Sequence, residues 1–302
     1  MSNSTFPFRG SMVAVVTPFT DGRVDYAALD TLVERQIEGG QKGILPCGST
    51  GESATLSHEE HAEVVRAVVA KAAGRVPVVA GTGSNSTSEA IFLTKEAEKA
   101  GAAGALLISP YYNKPTQDGI YEHYKAVADA VSIPLITYNI PGRTASTIET
   151  STLARLAEID NIVAVKEATG SLDRVMDVVA ACGDKMAVLS GDDPLTLPMI
   201  ALGAQGLIST SANVVPREIA DLTEFCLDGR WDEARALQYR LLPLMRALFL
   251  ETNPIPVKAA VAMLGLCRDE LRLPLVPMTA APRARLAEAL RGLGLQAAGA
   301  RA

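Results

Sequence analysis

The sequence predicts an α/β fold, a (β/α)8 TIM barrel that is followed by a C-terminal helical appendage. Short apolar runs alternate with helical patterns eight times before residue 230, which matches the usual size of such a barrel. From Trp231 onward only helical spacing remains. We therefore expect a barrel domain over residues 1–230 and a helical domain over residues 231–302. A doubly wound sheet is the alternative, but it does not usually need eight uninterrupted units.

Strands are predicted where an apolar run is bounded by glycine, proline or polar residues. In chain order, the eight runs cover residues 12–17, 43–46, 76–81, 104–109, 133–138, 162–166, 186–190 and 206–209. The sixth run is β-branched apart from one alanine and ends in a lysine. It therefore indicates a buried strand with an unusual last residue.

Helices are predicted between the strands from apolar spacing and from capping residues. Asp25 is expected to cap the first helix, and Ser57 with Glu60 has capping-box spacing at the start of the second. Ser86 with Glu89 has the same spacing before the third. The later helices are expected near residues 117–131, 151–159, 175–179, 195–202 and 216–227, and after residue 231 a long helix precedes two or three more that end near residue 293.

Composition narrows the possible functions. The formal net charge is −6 without any basic run, so nucleic acid is not an expected partner. The longest apolar runs are too short to cross a bilayer, and residues 1–10 lack the apolar segment of an export signal. The four cysteines have neither metal-ligand nor redox spacing, so we expect buried thiols in a reducing cytoplasm. The tail, residues 296–302, is expected to be disordered.

Lys166, at the end of the sixth run, is the first candidate for chemistry. A lysine is rarely buried without a reason, and burial disfavours the ammonium form and lowers its pKa. A neutral amine in a closed pocket attacks carbonyl carbons and forms Schiff bases. The alternative is that Lys166 reaches solvent from the strand end or pairs with a carboxylate.

Active sites of TIM barrels lie at the carboxyl ends of the strands, so the residues that follow each run are the next candidates. Residues 48–52 offer hydroxyls and glycines that suit a small anion, or else form an ordinary βα turn. Tyr138 ends the fifth run and is placed to relay protons, and Arg143 in the loop that follows is placed to bind a carboxylate. The paired tyrosines at 111–112 either serve a site or pack. The paired carboxylates at 192–193 suggest a metal, but a helix cap is the favoured interpretation.

Five stretches, which extend over nearly the whole chain, carry a resemblance to a known family. They are GSTGES at 48–53, YYNKP at 111–115, YNIPGRT at 138–144, VKEA at 165–168 and NPIPVK at 253–258. On these residues the sequence resembles the 4-hydroxy-tetrahydrodipicolinate synthase (dihydrodipicolinate synthase) family of pyruvate-dependent class I aldolases. The first and fourth stretches belong to the wider superfamily, whereas Arg143 and the last stretch point to the synthases.

The resemblance implies a lyase that condenses pyruvate with L-aspartate 4-semialdehyde, the first committed step of the diaminopimelate route to L-lysine. Lys166 would form the imine with pyruvate, and Tyr138 would shuttle protons at the imine carbon. Ser49 stands at a relay position where the family usually has threonine, so the hydroxyl survives without the methyl group that restricts its rotamer. Tyr112 would enter the neighbouring subunit's site and complete the relay.

The same resemblance implies the binding residues and the assembly. Thr50, with the backbone N–H groups of its turn, would hold the pyruvate carboxylate, and Arg143 would hold the carboxylate of the second substrate. Gly191 and Ile208 match residues that line the pocket. Neither a metal nor an organic cofactor is expected. The implied assembly is a homotetramer built as a dimer of dimers.

Six further positions match the site at which L-lysine inhibits sensitive bacterial members of the family. They are Ser53, Ala54, His58, His61, Asn85 and Glu89. The set offers an anion for an ammonium group and a bonding partner for a carboxylate, away from Lys166, so that inhibition would be allosteric. The alternative is that the histidines only begin a helix and that Glu89 belongs to a capping box.

Two other functions remain open from the sequence. Another pyruvate-dependent aldolase, such as N-acetylneuraminate lyase or a keto-sugar-acid aldolase, would suit the 48–51 turn equally well. Arg143 argues against it, because an aldehyde that carries a carboxylate needs a cation there and a sugar does not. A non-catalytic barrel that senses keto acids is the second, and the joint presence of Lys166, Tyr138 and Tyr112 argues against that.

Overall fold

The computed structural model describes residues 7–295, and within that range the strands follow the predicted order. They are β1 (Gly10–Ala14), β2 (Phe19–Thr20), β3 (Arg23–Val24), β4 (Gly43–Leu45), β5 (Val79–Gly81), β6 (Gly104–Ile108), β7 (Leu135–Asn139), β8 (Ile162–Glu167), β9 (Ala187–Ser190) and β10 (Gly206–Ser209). Eight of them form one parallel sheet in the order β4-β1-β10-β9-β8-β7-β6-β5. A parallel bridge between Ile44 and Val78 brings its two edges together, which confirms the TIM barrel. The antiparallel hairpin of β2 and β3 is an addition that the sequence did not predict.

Helices follow the barrel strands at the expected places, apart from a short helix at residues 141–144 that the sequence did not predict. They are α1 (Tyr26–Glu38), α2 (His58–Ala72), α3 (Thr87–Lys99), α4 (Gln117–Ala128), α5 (Pro141–Thr144), α6 (Thr150–Leu156), α7 (Leu172–Cys182), α8 (Thr196–Ala201), α9 (Pro216–Leu227), α10 (Trp231–Ala247), α11 (Ile255–Met263) and α12 (Ala280–Gly292). Asp25 caps α1, and Ser57 with Glu60 forms the predicted capping box of α2. The capping-box interpretation of Ser86 and Glu89 is wrong, because Ser86 makes no side-chain cap at α3.

The bounds of β10 and α9 agree with the prediction, whereas β1 is shifted toward the N-terminus of the expected run 12–17. Beyond β1, Val15 N–H still donates to the Leu45 carbonyl at 3.0 Å, but Val16 N–H donates to the Asn213 side chain at 3.0 Å. The apolar pattern continues past the strand because these residues stay buried after the ladder has ended.

Side chains fill the fold in two layers. One buried cluster, which includes Met12, Ile136 and Ala164, occupies the barrel interior, and a larger one lies between the strands and the helices. Successive residues of a strand point to opposite faces, so every second residue faces the interior. Tyr138 follows Ile136 by two positions and Lys166 follows Ala164 by two. Both side chains therefore face the inside of the barrel.

Within residues 7–295, three helices follow the barrel, and they confirm the C-terminal appendage. Helix α10 packs on α9, and α12 packs on both α10 and α11. The domain division at residue 230 stays a prediction, and the predicted disorder of residues 296–302 lies outside the described residues. In the described part of the chain, no helix has the length and apolar character that crossing a membrane requires.

Candidate active site

Lys166 and Tyr138 lie side by side at the carboxyl ends of β8 and β7. They are direct partners in the parallel ladder between these strands. Only 6% of each residue is exposed, and Lys166 Nζ lies 4.3 Å from the centroid of the Tyr138 ring. Strand β8 therefore places the Lys166 amine in the barrel interior beside the Tyr138 phenol, and the lysine does not reach out to solvent.

Burial sets the protonation of both groups. It lowers the pKa of Lys166 to about 8, an effect that the charge of Asp193 opposes and that of Arg143 reinforces. Burial also raises the pKa of Tyr138, so the phenol keeps its proton at neutral pH. A usable fraction of the amine is therefore unprotonated and nucleophilic near neutral pH, beside a group that holds a proton.

A cavity of about 630 Å³ opens onto this pair, a volume in the usual range for small-molecule sites. The predicted catalytic and substrate-binding residues that line it are Ser49, Thr50, Tyr138, Arg143, Lys166 and Gly191. A Cβ at position 191 would lie 3.0 Å from Lys166 Cε and 2.7 Å from the Cβ of Ala168. Glycine is therefore required at position 191, because any side chain would press on the lysine.

The turn after β4 presents Thr50 to the cavity. Thr17 Oγ1 donates to the Gly51 carbonyl at 2.7 Å, and Glu52 holds a left-handed backbone with φ 54°. Lys258 of α11, whose side chain is fully buried, donates both to the Glu52 carboxylate and to the Thr17 carbonyl. A buried ion pair from the C-terminal helices therefore fixes the turn.

Asn253 joins the two residues that are expected to bind carboxylates. Its Nδ2 donates to Thr50 Oγ1 at 3.0 Å, and its backbone carbonyl accepts from the Arg143 guanidinium at 2.8 Å. Sequence reasoning misses this contact because Thr50 lies 203 residues away. The only signal in the sequence is that Asn253 begins the NPIPVK stretch.

Asp193 shows that the cap interpretation of the paired carboxylates is wrong. Its buried carboxylate accepts from the Ser209 hydroxyl and, at 3.0 Å, from the Thr210 N–H, so it holds the turn after β10. Burial raises the pKa of Asp193, and these hydrogen bonds oppose the rise. Asp192 makes no side-chain cap either. Within residues 7–295, no three His, Cys, Asp or Glu side chains are grouped as they would be around a metal ion.

Three predicted site residues lie outside the lining of the cavity. Ile208 is buried in the barrel interior, and Asn85 is half-buried with its carbonyl accepting from Asn113. Tyr112 is 88% exposed and has a left-handed backbone with φ 70°. Tyr112 therefore does not contribute to the cavity of its own chain.

The predicted lysine site is not separate from Lys166, contrary to the expectation from the sequence, because most of its members line the same continuous cavity. The members that line it are Ser53, Ala54, His58, His61 and Glu89. Glu89 accepts from the Ser84 hydroxyl and pairs with His58 Nε2 at 2.8 Å, and both contacts lower the pKa of Glu89. His61 is buried, which lowers its pKa, and its Nε2 donates to the Gly81 carbonyl at 2.8 Å. At neutral pH this wall therefore presents a carboxylate beside the neutral imidazole of His61.

Known proteins are similar to this chain in sequence and in structure. The model of the Dihydrodipicolinate synthetase family (DHDPS) matches residues 7–293. The chain belongs to this family. A curated relative, the 4-hydroxy-tetrahydrodipicolinate synthase of Syntrophobacter fumaroxidans, is 57% identical over 289 residues, which are 95% of this chain and 99% of the relative. The family that the sequence predicted is confirmed.

Two solved DHDPS structures with small molecules are similar to the chain. The chloride-inhibited enzyme of Acinetobacter baumannii, in complex with pyruvate, has a TM-score of 0.93 and 47% identity, with 95% of this chain and 99% of that chain covered. The enzyme of Cyanidioschyzon merolae with lysine bound has a TM-score of 0.93 and 42% identity, with the same two coverages of 95% and 99%.

Proposed function

We propose that this chain condenses pyruvate with L-aspartate 4-semialdehyde to give 4-hydroxy-tetrahydrodipicolinate, as a lyase of the diaminopimelate route to L-lysine. Membership of the DHDPS family and a relative of that name support the reaction. The observation that carries the proposal is the buried amine of Lys166, which opens into a cavity that Thr50 and Arg143 also line. A neutral amine attacks a ketone, while a hydroxyl and a guanidinium bind carboxylates.

The reaction begins when the neutral Lys166 amine adds to the ketone carbon of pyruvate. Loss of water gives a protonated imine, and loss of a methyl proton gives an enamine. The enamine carbon attacks the aldehyde carbon of the second substrate, whose oxygen takes up a proton and becomes a hydroxyl group. The substrate's own amine then attacks the imine carbon, closes a six-membered ring and releases Lys166. Tyr138 gives and takes protons in these steps, for which a positioned group contributes ~10²–10⁴-fold.

Arg143 supplies the site for the second carboxylate. Its guanidinium lines the cavity and donates to the Asn253 carbonyl at 2.8 Å. L-Aspartate 4-semialdehyde carries a carboxylate that can pair with Arg143, whereas a sugar aldehyde does not need a cation there. Another pyruvate-dependent aldolase is the alternative function. Measuring the condensation of pyruvate with each class of aldehyde distinguishes the two.

Reductive trapping tests the proposed function. Borohydride added in the presence of pyruvate should reduce the imine and leave one pyruvyl-derived group on Lys166, which peptide mass spectrometry locates. Lys166→Arg should show no adduct. Lys114 lies on the loop after β6 and Lys258 is buried in α11, so these two lysines serve as internal controls. An adduct on either of them in place of Lys166, or no adduct at all, would overturn the assignment.

We also propose that Tyr112 completes the site of a neighbouring subunit within a homotetramer that is a dimer of dimers. Tyr112 lies in the loop between β6 and α4, at the same end of the barrel as Lys166. Its 88% exposure supports a role outside its own chain. A tyrosine combines a large apolar ring with a polar hydroxyl, which suits a contact between subunits.

L-Lysine is the proposed feedback inhibitor at the wall formed by Ser53, Ala54, His58, His61 and Glu89, whereas Asn85, the sixth predicted position, lies outside the lining of the cavity. The Glu89 carboxylate suits an ammonium group, and the lysine-bound relative supports the ligand.

We propose the cytoplasm as the location of the enzyme. All four cysteines are free thiols, as is usual in a reducing compartment.

A further inference from the structure

We propose that Asn253 is a positioning residue that orients the Thr50 hydroxyl, so that this hydroxyl donates its proton to the carboxylate of pyruvate. The inference rests on the proposed function, because it assigns Thr50 to that carboxylate. It adds a residue from the C-terminal helical part of the chain to pyruvate recognition.

The hydrogen bond between Asn253 and Thr50 has one direction. Asn253 Nδ2 lies 3.0 Å from Thr50 Oγ1. An amide nitrogen can only donate, so the threonine oxygen has to accept. The hydroxyl has one proton and two lone pairs, and the contact with Asn253 occupies a lone pair. The proton of Thr50 is therefore left to donate to another group.

The carboxylate of pyruvate needs a hydrogen-bond donor from Thr50. A carboxylate offers only acceptors, so a hydroxyl contributes to its binding only when the proton points toward it. Thr50 is 3% exposed and lines the cavity that contains Lys166. A buried hydroxyl with a fixed donor direction is already oriented before pyruvate enters, which reduces the ordering that binding requires.

Within residues 7–295, the side chain of Asn253, a residue that is 7% exposed, makes one hydrogen bond, and that bond is to Thr50. The contact with Arg143 uses the backbone carbonyl of Asn253, not the side chain. A side-chain substitution should therefore separate the effect on Thr50 from any effect on Arg143.

Two substitutions of Asn253 separate the loss of the hydrogen bond from the reversal of its direction. Asn253→Asp places an acceptor beside Thr50, so the hydroxyl turns its proton to the aspartate and presents lone pairs to pyruvate. Asn253→Ala removes the donor but leaves the hydroxyl free to turn toward pyruvate. We expect Asn253→Ala to raise the KM for pyruvate several-fold, about the effect of one hydrogen bond, and Asn253→Asp to raise it roughly tenfold further. The KM for L-aspartate 4-semialdehyde should stay near that of wild type in both variants.

A double-mutant cycle with Thr50→Val tests whether the effect passes through the hydroxyl. Valine keeps the shape of threonine without the hydroxyl, so in this background Asn253→Ala should not raise the KM for pyruvate any further, and any rise that remains with Asn253→Asp measures the repulsion between its charge and the pyruvate carboxylate. The concentration of pyruvate that gives half-maximal borohydride trapping on Lys166 provides a second readout. It does not depend on the aldehyde.

Three outcomes would overturn the inference. An Asn253→Asp enzyme that binds pyruvate as well as Asn253→Ala would show that hydrogen-bond direction does not matter. An Asn253→Ala loss that multiplies with the loss from Thr50→Val would show that Asn253 acts independently of Thr50. Equal rises in both KM values would indicate a general disturbance of the Asn253 segment. Failure of the wild-type enzyme to trap pyruvate at all would instead overturn the proposed function, so the two failures are distinguishable.

Discussion

Lys166 Nζ lies 4.3 Å from the ring centroid of Tyr138, its direct partner in the ladder between β7 and β8. Because the register of the two strands sets this contact, a slip of one residue would turn one of the two side chains out of the barrel. The amine and the phenol are therefore placed by backbone hydrogen bonds rather than by a flexible loop.

The first prediction concerns pH. Burial lowers the pKa of Lys166 to about 8, and only the unprotonated amine attacks pyruvate. The value of kcat/KM for pyruvate should therefore rise with pH and level off above about 8. The negative charge of Asp193 raises the pKa of Lys166, so Asp193→Asn should move the inflection to lower pH. A pH profile without an inflection, or a shift in the opposite direction, would contradict this account.

The second prediction concerns Gly191. A Cβ at this position would lie 3.0 Å from Lys166 Cε, so Gly191→Ala should displace the reactive amine and reduce the rate of imine formation about 100-fold. Gly292→Ala is the matched control, because its Cβ would meet no heavy atom within 4 Å. Trapping rates and thermal unfolding should be measured for both variants. Full activity in Gly191→Ala would show that Lys166 tolerates displacement.

The third prediction concerns the ion pair between Lys258 and Glu52, whose side chains are fully buried. Lys258→Met leaves a buried carboxylate without its partner, and should lower the free energy of unfolding by about 3–5 kcal/mol. Adding Glu52→Gln should restore part of that loss. Lys99→Met is the control, because Lys99 pairs with Glu96 at the surface and should cost less than about 1 kcal/mol. Denaturant unfolding checks the order of the variants.

The fourth prediction concerns the proposed exchange of Tyr112 between subunits. Tyr112→Phe and Lys166→Ala enzymes should each have low activity. A hybrid dimer should contain one complete site, with Lys166 from the first parent and Tyr112 from the second. Mixing the two after dissociation should therefore give more activity than either parent alone. If reassembled mixtures stay at the parental level, the subunits do not share Tyr112.

The fifth prediction concerns L-lysine. Initial rates should fall as L-lysine is raised to millimolar concentrations, and Glu89→Ala should remove the inhibition because the ammonium group loses its carboxylate. Glu96→Ala is the control, since Glu96 lies on the same helix and pairs with Lys99 at the surface. A wild-type enzyme that does not respond, or a Glu89→Ala enzyme that is still inhibited, would exclude this site.

The barrel and the buried position of Lys166 could be predicted because their signals are local. The apolar run that ends at Lys166 and the bounds of β10 depend on neighbouring residues. The role of Asp193 could not be predicted for the complementary reason. It has the local spacing of a helix cap, but it binds Ser209, 16 residues away. The capping-box alternative for Glu89 fails in the same way, because Glu89 binds His58, 31 residues away. A carboxylate takes whichever donors the fold brings to it, and sequence spacing does not reveal them.

The ion pair between Glu52 and Lys258 has a consequence for how the protein is made. Lys258 follows Glu52 by 206 residues, and Asn253 follows Thr50 by 203. The ribosome therefore synthesises every barrel strand, including the one with Lys166, before it adds Asn253 and Lys258, two of the side chains that secure the Thr50 turn. A growing polypeptide already contains Lys166 but does not yet contain the two side chains on which the proposed binding of pyruvate at Thr50 depends. The proposed pyruvate site is therefore complete only near the end of translation.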